Sequence, residues 1–114
     1  MAKLLVHLAT GAENPTRAAL ALLVARTAVD EGHEVRVFLA GDAVHLARPA
    51  TRAAVTGVGT GSVAEHWTAL EQAGVRIMLS GLSSKARGIE EGGELSPPTA
   101  LVESATWADT VLTY

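Results

Sequence analysis

The stretch "GVRIMLSGLSSKARGIE", residues 74–90, holds a turn glycine, a short run of almost unbroken apolar residues, and then a polar loop. A strand that is apolar on both faces is one buried on both faces, which is typical of a parallel sheet covered by helices. The pattern recurs upstream. "AKLLVHLAT" reads as a buried strand from Lys3 to Ala9, and "HEVRVFLAGD" as a second strand from Glu34 to Leu39. Between them, "TGAENPTR" is a turn that ends in a helix start, with Asn14 as N-cap and Pro15 in the first helical position. That helix is expected to run to Asp30 or Glu31 and to stop at Gly32. Strands alternating with helices predict an α/β domain. Right-handed crossovers are expected to place its helices on alternate sides of the sheet.

The remaining segments fit this scheme. "AVHLARPATRAA" reads as one or two irregular helical turns interrupted at Pro49, and "TGVGTGS" as a loop. Ser62 and Glu65 have the spacing of a capping box, so a helix should begin there, cover "VAEHWTALEQA" and end at Gly74. "EEGGELSPPT" is polar and turn-rich, with room for one short strand. Ser96 and Pro97 then open a last helix to about Trp107, and "DTVLTY" is a closing strand.

Composition bounds the function. The 114 residues make one domain, 48 % hydrophobic and only 18 % charged. The middle of the first helix, "AALALLVA", is apolar on every side, and a helix with no wet face in so short a chain is expected to be covered by a partner subunit. A net charge of −3 gives no basic stripe for nucleic acid. No apolar run reaches spanning length and no leader pattern opens the chain, so a cytoplasmic protein with no membrane contact is expected. Cysteine is absent, which excludes disulfides, thiolate metal sites and thiol nucleophiles.

Sites in such sheets lie beyond the carboxyl ends of the strands. Three loops have that placement: Thr10–Asn14, Gly41–Val44 and Ser80–Arg87. If their strands are adjacent, the loops converge on one pocket. In the last of them, Ser83 or Ser84 would cap a short helix near Lys85 and Arg87, a setting that attracts an anion. The competing reading pairs these cations with Glu90, Glu91 or Glu94 at the surface. Asp42 could cap the next helical turn through its side chain or line the pocket. His45, near the same strand end, could be a general base or an interface side chain. His7, His33, His45 and His66 are too scattered for a metal site, and no cofactor is expected. The glycines of "TGVGTG" lack the dinucleotide spacing and read as a flexible connector. Ser80 has neither a nucleophile elbow around it nor a neighbouring histidine to activate it.

Four stretches together, "KLLVHLATGAENPTRAALALLVA", "VRVFLAGDAV", "GVRIMLSGLSSKARGI" and "ADTVLTY", resemble the DsrE/DsrF-like family of small sulfur-relay proteins, which includes the Tus-type subunits. The resemblance implies a three-layer α/β/α domain over residues 1–114, with a mostly parallel sheet of about five strands. It also implies assembly as a trimer or hexamer, or with a cysteine-bearing paralogue. Active members hold sulfur as a persulfide on a cysteine at the end of the third strand, and the matching position here is Ser80. An alcohol oxygen cannot carry a sulfane sulfur. The expected function is therefore a non-catalytic, oligomeric, sulfur-relay-related subunit. Its polar pocket would draw on Thr10, Asn14, Asp42, His45, Ser80, Ser83, Lys85 and Arg87, with a small anion as ligand. The alternative is a small enzyme without thiol chemistry, using Asp42 or His45 as base beside the Ser80 loop.

Overall fold

A computed structural model describes residues 1–114. The chain runs β1 (Lys3–Leu8), α1 (Pro15–Asp30), β2 (Glu34–Leu39), a 3-10 helix (Gly41–Ala47), α2 (Pro49–Ala54), β3 (Thr56–Gly57) and β4 (Gly61–Ser62). It continues through α3 (Val63–Gln72), β5 (Arg76–Ser80), α4 (Gly81–Ala86), β6 (Glu94–Ser96), α5 (Pro98–Trp107) and β7 (Thr110–Thr113). Five strands form one sheet in the order β6-β5-β2-β1-β7, and every neighbouring pair is parallel. No helix is long and apolar enough to cross a membrane.

Local chemistry sets the element ends. Asn14 accepts the Arg17 N–H at 3.1 Å with Pro15 beside it, and α1 stops at Gly32, whose φ of +89° only glycine adopts readily. Ser62 accepts the Glu65 N–H at 3.3 Å and starts α3.

The strand order corrects the expectation of helices on alternate sides. From β1 through β2 and β5 to β6 the chain advances in one direction, and right-handed crossovers then keep the connecting helices on one face. Only the return from β6 to β7 crosses the other face, and it carries α5. The two layers are unequal as a result. On the first face, Val6, Leu8, Val35, Val37, Leu39, Ile77 and Leu79 join α1, the 3-10 helix and α3 in a core of 22 buried residues. On the second, only Leu5, Phe38 and Met78 are buried, against Ala100, Leu101, Ala105 and Ala108. The alternation Leu5/Val6, Val37/Phe38 and Met78/Leu79 is the two-residue period of strands buried on both sides.

The segment expected to be a flexible connector is instead a small antiparallel hairpin, β3–β4, pinned to α1. Thr16 Oγ1 accepts the Val58 N–H at 3.0 Å, and its carbonyl accepts the Thr60 hydroxyl at 3.1 Å. A side chain on Gly57 would run into Thr60 and the α1 backbone at Thr16. From α3, buried His66 donates from Nε2 to the Thr60 carbonyl at 2.8 Å. This docking alters the reading of α1. Its residues Ala18, Ala19, Ala21, Leu22, Ala25 and Ala28 are buried within the single chain, and Leu20 is the one large apolar residue of the helix left exposed, at 36 %. The apolar middle of α1 is therefore covered by this chain itself and does not call for a partner. Arg52 stacks over Trp67, 4.5 Å from the ring, and donates to the carbonyls of Leu46 and Ala47, closing the 3-10 helix.

Candidate functional site

Strands β1, β2 and β5 are neighbours, so the loops that follow them meet at one end of the sheet. The approach is close: a side chain on Gly11, after β1, would collide with the Asp42 carbonyl, after β2. Ser80 ends β5, and its Oγ accepts the Ser83 N–H at 3.1 Å, so Ser80 itself is the N-cap of α4. This corrects the expectation of Ser83 or Ser84 as the cap. Ser83 instead accepts the Gly41 N–H at 2.9 Å and ties α4 to the end of β2. Ser84 is fully buried, and its hydroxyl has no partner.

Asp42 does not cap the 3-10 helix, which has no side-chain cap. Its Oδ1 accepts from Arg87 Nη2 at 3.1 Å and Nε at 3.3 Å, while Arg87 Nη1 reaches the Ser83 carbonyl at 3.1 Å. The partner of Arg87 is thus Asp42, and none of Glu90, Glu91 or Glu94. Glu94 belongs to Arg76, which donates to it in a fork at 2.7–3.1 Å; those bonds hold the Glu94 carboxyl below its ordinary range. Arg48, which sequence reading passed over, donates to the Arg87 carbonyl at 2.9 Å and to His45 Nδ1 at 2.7 Å. A guanidinium only donates, so Nδ1 is the acceptor and the ring proton sits on Nε2.

Of the expected pocket residues, Asp42, Ser80, Ser83 and Arg87 form one linked network, with His45 attached through Arg48. Thr10 is buried at the end of β1, and Asn14 is occupied as the α1 cap. Lys85 stands in the last turn of α4, where it lines a separate cavity of about 370 Å³ with Gly81, Ile89 and Leu95. Asp42 and His45 face a different opening of about 400 Å³, together with Ala12, Glu13 and Thr51. The anion setting read from the sequence is therefore not assembled. The cations lie at the carboxyl end of α4, and Arg87 is matched to a carboxylate.

Ser80 Oγ has a single partner, and neither Asp42 nor His45 is hydrogen-bonded to it. No general base is in place to take the Ser80 proton. No group of three or more potential metal-ligating side chains is close enough to hold an ion. Elsewhere on β1, burial lowers the pKa of the His7 imidazole, whose buried Nε2 has no partner.

A family model described as the DsrE/DsrF-like family matches residues 2–114. No curated protein matches the sequence. Two solved structures share the fold along nearly the whole chain. The ychN protein from E. coli superposes with a TM-score of 0.79 at 24 % identity, covering 100 % of both chains. The conserved protein of unknown function BT1422 from Bacteroides thetaiotaomicron superposes with a TM-score of 0.71 at 16 % identity, covering 98 % of this chain and 94 % of its own.

Proposed function

The chain belongs to the DsrE/DsrF-like family, and from that premise we propose that it is a non-catalytic, oligomeric subunit related to sulfur-relay proteins and unable to carry a persulfide itself. One observation carries the reading. Ser80 ends β5 at the position where the resemblance places the sulfur-carrying cysteine, and no thiol exists anywhere in the chain. A persulfide needs a sulfur nucleophile, and its reactivity follows from thiolate character that an alcohol lacks at neutral pH. The Ser80 oxygen is already engaged as a cap, and the polar side chains around it tie the loop after β2 to the loop after β5. On this reading the site keeps a shape that a partner subunit can dock to or complete. A cysteine-bearing paralogue or further copies of this chain would be that partner.

The test is intact-mass spectrometry of the purified chain after incubation with a sulfane-sulfur donor. No gain of mass is expected. The addition of one sulfur atom to the unmodified chain would overturn the reading. The enzyme alternative, with Asp42 or His45 as base, gains nothing from this geometry, because neither group contacts Ser80.

A further inference from the structure

The two edges of the sheet are unlike. On β6, Glu94 is exposed and forked to Arg76, a charged pair of the kind that keeps strands from adding to an edge. On β7, the run Thr110–Thr113 contains no charge, no proline and no glycine, and Thr110, Val111 and Thr113 are exposed. Its backbone pattern shows which groups are free. Tyr114 donates to the His7 carbonyl at 2.9 Å and accepts from the Ala9 N–H at 3.0 Å, so both of its backbone groups face β1. Bonding residues alternate along a parallel ladder, so Leu112 faces β1 as well, and the N–H and C=O of Val111 and Thr113 point outward. The layer beside this edge is thin. α5 buries only Ser104, while Val102 is 63 % and Val111 43 % exposed.

We infer that β7 pairs with β7 of a second copy, antiparallel, about a two-fold axis midway between the two Leu112 residues. The inference rests on the oligomeric reading above and names the surface. Val111 of each copy faces Thr113 of the other, and each such pair exchanges both backbone bonds that the isolated edge leaves to water. The axis stands normal to the sheet, so side-chain alternation is kept and both α5 layers lie on one side, flanking the exposed Val111. A two-fold interface must be complementary to itself. The run Thr110–Tyr114 meets that condition in its side chains, none of which is charged, whereas the β6 edge carries Glu94. A charged partner would find no counter-charge on this strand.

The chain has no cysteine, so Leu112→Cys introduces a single thiol. In the inferred register Leu112 faces its own copy in a non-hydrogen-bonded pair, with Cα atoms about 4.5 Å apart, inside the disulfide range of roughly 4.4–6.8 Å. Mild oxidation should convert Leu112→Cys into a covalent dimer at least about tenfold faster than Val111→Cys, whose thiols lie offset along the strand. Thr113→Pro removes an outward donor and leaves the bonds to β1 intact. It should lower the mass measured by light scattering while the circular dichroism melt stays cooperative. Suppose instead that the unmodified chain assembles, Leu112→Cys cross-links no faster than Val111→Cys, and Thr113→Pro keeps its mass. The surface would then be wrong and the oligomeric reading would stand. An unmodified chain that stays monomeric at every concentration overturns both.

Discussion

On the proposed reading Ser80 is the residue that bars persulfide chemistry, and in the structure its oxygen caps α4. Replacing it with alanine leaves the Ser83 N–H without its acceptor and should cost about 1 kcal/mol by urea denaturation. Replacing it with cysteine places a thiol at the same point, and on the proposed reading this variant alone should gain sulfur mass from a sulfane donor. His7 governs a second prediction. Burial lowers its folded pKa below the ordinary 6.5, so below that pH the unfolded chain binds more protons than the folded one. The stability contributed by neutral His7 is thus fully present above 6.5 and is lost as pH falls through the lowered folded value. His7→Phe should lose less stability than the unmodified chain between pH 7 and pH 5, measured by denaturant midpoints, and should cost little at neutral pH because Nε2 has no partner to lose. An acid loss equal in both proteins would refute the assignment. The identity of Ser80 and the lack of any thiol were legible in the sequence. The Arg87–Asp42 pair was not, because its members are 45 positions apart and surface charges offer many partners.

Among the elements, those with local signals were legible: Asn14 and Pro15, Ser62, Gly32 and the three central strands all lie where their residues predict. The start of α4 was not, because three serines within five residues are equivalent as caps by chemistry. Only the end of β5 selects Ser80 among them. The β3–β4 hairpin was missed for a related reason. Its ladder is two residues per strand, and its order comes from Thr16 and His66 in other helices. Thr16→Val should therefore free the Val58 amide to faster hydrogen exchange and cost about 0.5–1.5 kcal/mol. Unchanged exchange at Val58 would show that the hairpin does not depend on α1. Gly11→Ala should be harsher, because its methyl would meet the Asp42 carbonyl. A loss of roughly 1–3 kcal/mol is expected, in line with overpacking elsewhere.

At the scale of the molecule, the sheet divides two unequal layers, and the division should be measurable. Leu22→Ala, in the large core, should cost about 2–5 kcal/mol, whereas Leu101→Ala, half-buried on the α5 side, should cost markedly less in dilute solution. If the α5 side and the β7 edge are shared between copies, the melting temperature should also rise with protein concentration. A melting point independent of concentration would count against assembly. By itself the sequence determined the α/β class, the three central strands, most caps and the absence of any thiol, since each depends on residue type and on spacing within a few positions. The tertiary structure alone decided the order β6-β5-β2-β1-β7, the gathering of three helices on one face, the self-covering of α1 and the pairing of Arg87 with Asp42. These are contacts between residues far apart along the chain. Many partners are chemically equivalent for each of them, and only the packed geometry selects one.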